Sequence, residues 1–167
     1  MSTRFGVLKR LANVKVLLVL VLVVAYTGAA GYYLMSDMSV QGFTVKVFDV
    51  LRFCTGDSTV SNKVVNYDVH ASVWSTQSLR TSVTNIQFTF VTDGKQVSTA
   101  TARDVFLDPG QGAPVTLNFK DLGVDPNSLP RTLGLVLTVT ANVSAGIISS
   151  PLTRSDSLTE DFGSTSC

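Results

Sequence analysis

Two periodicities divide the chain. From Val16 to Ser36 the sequence is apolar or small and carries no charged residue. At about 1.5 Å of rise per residue, this run is long enough for a helix to cross the roughly 30 Å hydrocarbon core of a bilayer. After Asp37 the pattern changes to alternation. "KVVNYDVHASVW" puts Val65, Tyr67, Val69, Ala71 and Val73 on one parity and Asn66, Asp68, His70 and Ser72 on the other. Such a segment is a half-buried antiparallel strand.

Similar alternation recurs along the rest of the chain. "VTNIQFTFVTDGKQVSTATA" reads as a hairpin with Ile86, Phe88 and Phe90 inward and Asp93-Gly94 at the turn, where positive φ is needed. Val115, Leu117 and Phe119 alternate after the Pro- and Gly-rich turn of "RDVFLDPGQGAPVTLNF". The longest row is Leu133, Leu135, Leu137, Val139, Ala141 and Val143, followed by a last strand whose Pro151 marks an edge or bulge. "MSVQGFTVKVFDVLRF" is a less regular first strand, with Phe43, Val45, Val47 and Asp49 on one parity and a bend expected near Gly42. "CTGDSTVSN" is a turn-rich break, and "KDLGVDPNSLP" a loop with room for one helical turn.

The pattern predicts an all-β domain. It is a two-sheet antiparallel β-sandwich of the immunoglobulin or fibronectin III kind, with about seven or eight strands, behind one N-terminal transmembrane helix. Tyr67, Val69, Ile86, Phe88, Phe90, Leu117, Leu135, Leu137 and Val139 are the expected core between the sheets. The expected divisions are a short basic N-terminus (1–15), the span (16–36) and the sandwich (37–167), with Ser36 to Gln41 as the only spacer.

Charge orients the span. Arg4, Lys9, Arg10 and Lys15 precede it without any acid, and Asp37 follows. The positive-inside rule then leaves the N-terminus in the cytoplasm and the sandwich outside, with Tyr26, Tyr32 and Tyr33 toward the far interface. A signal peptide is the competing interpretation, since "TGAAG" places Gly28 and Ala30 for cleavage. Beyond the four leading bases, nine Lys and Arg face twelve Asp and Glu, a net charge of −3. Scattered and mildly acidic, that surface has no footprint for nucleic acid.

The cysteines are Cys54 and Cys167. Outside the membrane they can form one intrachain disulfide, worth about 4–5 kcal/mol in the chain-entropy model; two free thiols or an intermolecular link are the other options. His70 is the sole histidine and shares its face with polar residues. Without a G-x-S-x-G elbow or a second histidine, neither a serine nucleophile nor zinc has a framework, so no catalytic residue, cofactor or enzyme activity is expected. "GQG" at Gly110–Gly112 is turn chemistry. Asp121, Asp125 and Asn127 are candidate calcium ligands, set against the ordinary use of Asp and Asn in turns. Asn142 opens the sequon "NVS". Trp74 is either a core plug or an interfacial residue. Ala25 with Ala29 and Thr27 with Gly31 are small-xxx-small pairs that permit helix–helix approach, although small residues also accompany a cleavage site.

"VTNIQFTFVTDGKQVSTATARDVFLDPGQGAPVTLNF" followed by "LGLVLTVTANVSAGIISSPL" resembles the late-embryogenesis-abundant type 2 (water-stress) domain. The likeness covers roughly Val64 to Leu152 in its order of strands and turns; "WSTQS" stands where that family usually has Asn-Pro. It implies a small, non-enzymatic, fibronectin-like sandwich, often tethered by an N-terminal membrane helix. Two functions are expected from these features. The first is a single-pass membrane protein with a structural, binding or accessory-subunit role, whose partners are the bilayer and itself or another membrane subunit. The alternative is a secreted filament subunit, cleaved near Ala30, whose new N-terminal arm donates a β-strand to a neighbour.

Overall fold

The structure, a computed structural model, describes residues 3–55, 64–76, 78–122 and 124–163, with side chains from Val14 onward. Among these residues one helix, α1 (Thr3–Gln41), leads into eight strands: β1 (Phe43–Thr55), β2 (Val64–Ser75), β3 (Thr81–Thr92), β4 (Lys95–Thr101), β5 (Val105–Leu107), β6 (Gly112–Asp121), β7 (Thr132–Ala145) and β8 (Ile148–Asp161). They form two antiparallel sheets. One has the order β1-β2-β6, and the other β4-β3-β7-β8 with β5 also paired to β3. The chain changes sheet after β2, after β5 and after β6.

The alternating rows set the core. Every one of the nine residues expected between the sheets is buried, from Phe88 at 0% exposure to Leu117 at 5%. Phe90 sits between Tyr67, with ring centroids 5.3 Å apart, and Phe119, stacked at 5.0 Å. Tyr67 also meets Phe162 edge-on at 6.4 Å, and the Arg52 guanidinium covers that ring at 4.3 Å. Arg52 donates to the Pro130 carbonyl at 2.6 Å, closing the end of the sandwich away from the helix. Burial there, with Asp121 nearby, pushes the Tyr67 hydroxyl above its ordinary value of 10.0 and lowers the Arg52 guanidinium.

Turn chemistry follows the sequence at the β3–β4 hairpin, where Asp93 (φ 45) and Gly94 (φ 76) both adopt positive φ. Two bulges account for rows that simple alternation misses. In β1 the register steps from Val47↔Ala71 to Asp49↔His70, leaving Phe48 as the extra residue. The inward parity therefore changes. Val50 is buried, while Phe48 and Leu51 stay about half exposed, so Asp49 does not share the inward row of Phe43, Val45 and Val47. In β3 the step from Thr84↔Asn142 to Gln87↔Thr140, with Asn85 at φ 52, lets Val83 and Ile86 both point inward.

The open seam between the sheets is closed by β8. Asp156 Oδ2 accepts from the Val47 amide at 2.8 Å, one residue before the β1 bulge. Arg154 Nε donates to the Phe43 carbonyl at 3.1 Å. Charged side chains thus satisfy edge-strand backbone that would otherwise offer itself for pairing. Pro151 lies on β8, an edge strand, as its chemistry requires. The "KDLGVDPNSLP" segment is a loop with a turn in which the Ser128 amide donates to the Asp125 carbonyl at 3.0 Å. Most of the "CTGDSTVSN" break lies outside the described residues.

Candidate functional site at the helix–sandwich junction

The apolar part of α1 spans Val14–Gln41, 28 residues with mean hydropathy 2.2. Its side chains from Val14 to Ala30 are all exposed, and Tyr26 reaches 76%. By length and composition this helix can cross a bilayer as an anchor, or serve as a signal sequence.

Near its C-terminal end the same helix enters the domain. Ser36, Ser39 and Val40 are each 0% exposed, as is Phe43 at the start of β1. Ser36 to Gln41 is therefore not a spacer but the last turn and a half of α1, packed against β7 and β8. Intrahelical bonds from Ser36 Oγ to the Tyr32 carbonyl (2.8 Å) and from Ser39 Oγ to that of Met35 (2.7 Å) let both hydroxyls be buried without loss of partners. Ser39 Oγ also accepts from the Leu79 amide at 3.3 Å.

Backbone and side-chain bonds hold the exit. The Gly42 amide donates to the Met38 carbonyl at 2.9 Å, and the Gly42 carbonyl accepts from the Thr76 amide and hydroxyl at 3.3 and 3.0 Å. Arg154 Nη2 donates to the Gln41 carbonyl at 3.2 Å, where a cation also meets the negative end of the helix dipole. Gly146, at the β7–β8 turn with φ +56, comes so near the helix that a Cβ there would collide with Ser36 Oγ and touch the Tyr32 ring. Its missing side chain is what lets the hairpin tip reach α1.

The small residues of the helix fall on two sides. Successive steps of about 100° align Ala25 and Ala29 with Tyr32 and Ser36, beneath the hairpin, and turn Thr27 and Gly31 to the opposite side. Thr27 Oγ1 bonds back to the carbonyls of Val23 (2.9 Å) and Val24 (3.1 Å).

Other residues singled out in the sequence are dispersed. His70 lies on the outer face of β2, its Nδ1 3.5 Å from the Asp49 carboxylate, both about half exposed. Asp121 is 3% exposed, with Lys95 Nζ 4.0 Å from Oδ1. Asp125 Oδ1 instead accepts from the Asn127 amide (2.9 Å) and side chain (3.3 Å), an Asx turn. Among the described residues no three His, Cys, Asp or Glu side chains are grouped to hold a metal ion. Cys54, near the end of β1, is not a free thiol; Cys167, its expected partner, lies outside the described residues. Asn142 is exposed on β7, in register with Thr84 and Pro151.

Trp74 is not a core plug. Its indole lies on the outer face of the three-stranded sheet over Gly112, where a Cβ would stand 2.7 Å from the ring. With Thr44, Lys46 and Thr76 it lines an open depression of about 290 Å³. Gly110 takes φ +71 and donates to the Ser75 carbonyl at 2.9 Å, so "GQG" shapes this turn and clears the space that Trp74 covers.

Sequence reasoning missed Gly146, Arg154 and Asp156 as junction and seam residues. One signal was present: no charged residue occurs from Thr132 to Thr153, and Arg154 ends that run.

Neither a family model nor a curated protein matches the chain. Among solved structures it is similar to a protein from Archaeoglobus fulgidus (10% identity, TM-score 0.38, 70% of this chain and 97% of that one). It is also similar to the ApaA protein from Bordetella pertussis (13%, 0.43, 74% and 97%). A third similarity is to the sporulation control protein Spo0M from Bacillus subtilis (11%, 0.41, 72% of this chain), of which the match spans 49%. These likenesses are distant.

Proposed function

We propose that the chain is a single-pass membrane protein whose helix remains as the anchor and whose sandwich has a structural, binding or accessory-subunit role. One observation carries this: an apolar, fully exposed helix continues without a break into a last turn that is buried in its own domain. The exposed portion needs lipid, and the buried portion fixes how the sandwich stands on it. The basic N-terminus supports a cytoplasmic start, with the sandwich outside.

The strand-donating arm of the filament alternative needs Gly31 to Gln41 as extended chain. Those residues are helical, and three of them are already buried in the domain, which favours the anchor. A non-enzymatic role accords with the half-exposed His70–Asp49 pair on an open strand face. The two-sheet order, β1-β2-β6 against β4-β3-β7-β8, supports the fibronectin-like arrangement implied by the late-embryogenesis-abundant type 2 resemblance. The Thr27–Gly31 side of the helix, turned away from the hairpin, is the flank open to a second membrane helix.

Protease treatment of sealed, right-side-out membranes tests this reading. The sandwich should be digested from outside while the first residues stay protected. Digestion only after the membranes are opened would overturn the proposed orientation.

A further inference from the structure

We propose that the tip of the β7–β8 hairpin, led by Ile147, rests in the lipid interface of the leaflet nearest the sandwich, as a second membrane contact beside α1. This rests on α1 spanning a bilayer. Height along the helix carries the argument. Lys15 is the last charged residue before the span, and from there the helix climbs roughly 25 Å to Tyr32 and roughly 31 Å to Ser36. The hydrocarbon core is about 30 Å thick, so this turn of the helix lies at its outer boundary. Gly146 packs on that very turn, its α-carbon facing Tyr32 and Ser36. The hairpin tip therefore sits at the level where lipid chains meet headgroups.

The chemistry of the tip fits that level. Ile147 is 66% exposed, at a hairpin turn where polar residues are the usual choice. Its neighbours Ala145 and Ile148 are paired across the hairpin, with Ala145 buried, so the turn cannot fold Ile147 inward without breaking the ladder. From Thr132 to Thr153 no charged side chain has to be desolvated. Tyr32 and Tyr33 lie at the same height on the helix, as aromatic residues do at a membrane boundary. Leu122 is even more exposed, at 83%, but it follows β6 at the end remote from the helix and has no route to lipid.

The test uses the full chain in phosphatidylcholine vesicles whose acyl chains are brominated close to the carbonyl end. Three variants are compared with the parent, whose Trp74 sets the background: Ile147→Trp, Leu122→Trp and Tyr26→Trp. We expect the added emission of Ile147→Trp to be blue-shifted and largely quenched by the brominated lipid, and that of Leu122→Trp to be unquenched. Tyr26→Trp, read with bromines deeper in the chain, reports the span itself. Quenching at Tyr26→Trp but none at Ile147→Trp would overturn the hairpin contact and leave the anchor standing. Absence of quenching at both positions would overturn the two together. An unfolding midpoint for Ile147→Trp equal to the parent's shows that the fold is retained.

Discussion

Single side chains decide how the helix is fastened and how the seam is closed. Arg154 bonds the Gln41 and Phe43 carbonyls, and Asp156 holds the Val47 amide beside a bulge. Replacing Arg154 with Ala should cost about 1–3 kcal/mol, the range for charged hydrogen bonds and the partners they leave unmet. Denaturant titration of the sandwich in micelles reads this directly; an unchanged midpoint would remove Arg154 from the junction. Tyr67 gives a pH dependence. Because its folded value is raised by burial, its contribution is complete below the unfolded value near 10 and is lost as pH rises through the folded value. Tyr67→Phe should therefore flatten the decline in urea midpoint that sets in as pH rises above about 10. Some of this scale was legible in the sequence. Asp93-Gly94 declared its turn because two positive φ angles leave few residue choices. Trp74 was not legible, since the space it fills belongs to Gly112 on another strand.

At the level of elements, strand rows were readable wherever one face met the core without interruption, as in β2 and β7. They failed at the bulges, because an inserted residue changes parity and nothing in β1 itself distinguishes Phe48 from an ordinary outward residue. The helix end was harder. "SDMSVQ" has few helix-favouring residues, and its conformation comes from tertiary burial of Ser36, Ser39 and Val40. Docking of the hairpin on α1 depends on Gly146. Gly146→Val would place a branched side chain against Ser36 at a φ of +56, with an expected cost of about 1–3 kcal/mol. Hydrogen exchange should then rise at 36–42 while the aromatic cluster of Tyr67, Phe90 and Phe119 stays protected. Equal exchange in variant and parent would mean the hairpin does not hold the helix.

At the scale of the whole molecule, the described residues form one helix docked on one sandwich with no linker between them. Gly42 alone separates α1 from β1, and its carbonyl is already bonded to Thr76. A bilayer around the exposed length of α1 would thus set the attitude of both sheets, and a partner approaching the membrane would meet the sandwich in one orientation. Two-layer architecture was evident from alternation alone; the docking of α1 was not, because it arises from contacts between α1, β7 and β8 that lie far apart in sequence. The candidate site shared that fate. Its long apolar helix was plain in the sequence, while its fastening to the sandwich was hidden. Retention of the helix is the claim on which this picture depends, and the intact mass of the native protein tests it most directly. The account predicts a mass that still includes Arg4 to Lys15, whereas a mature chain beginning at Gly31 would contradict it.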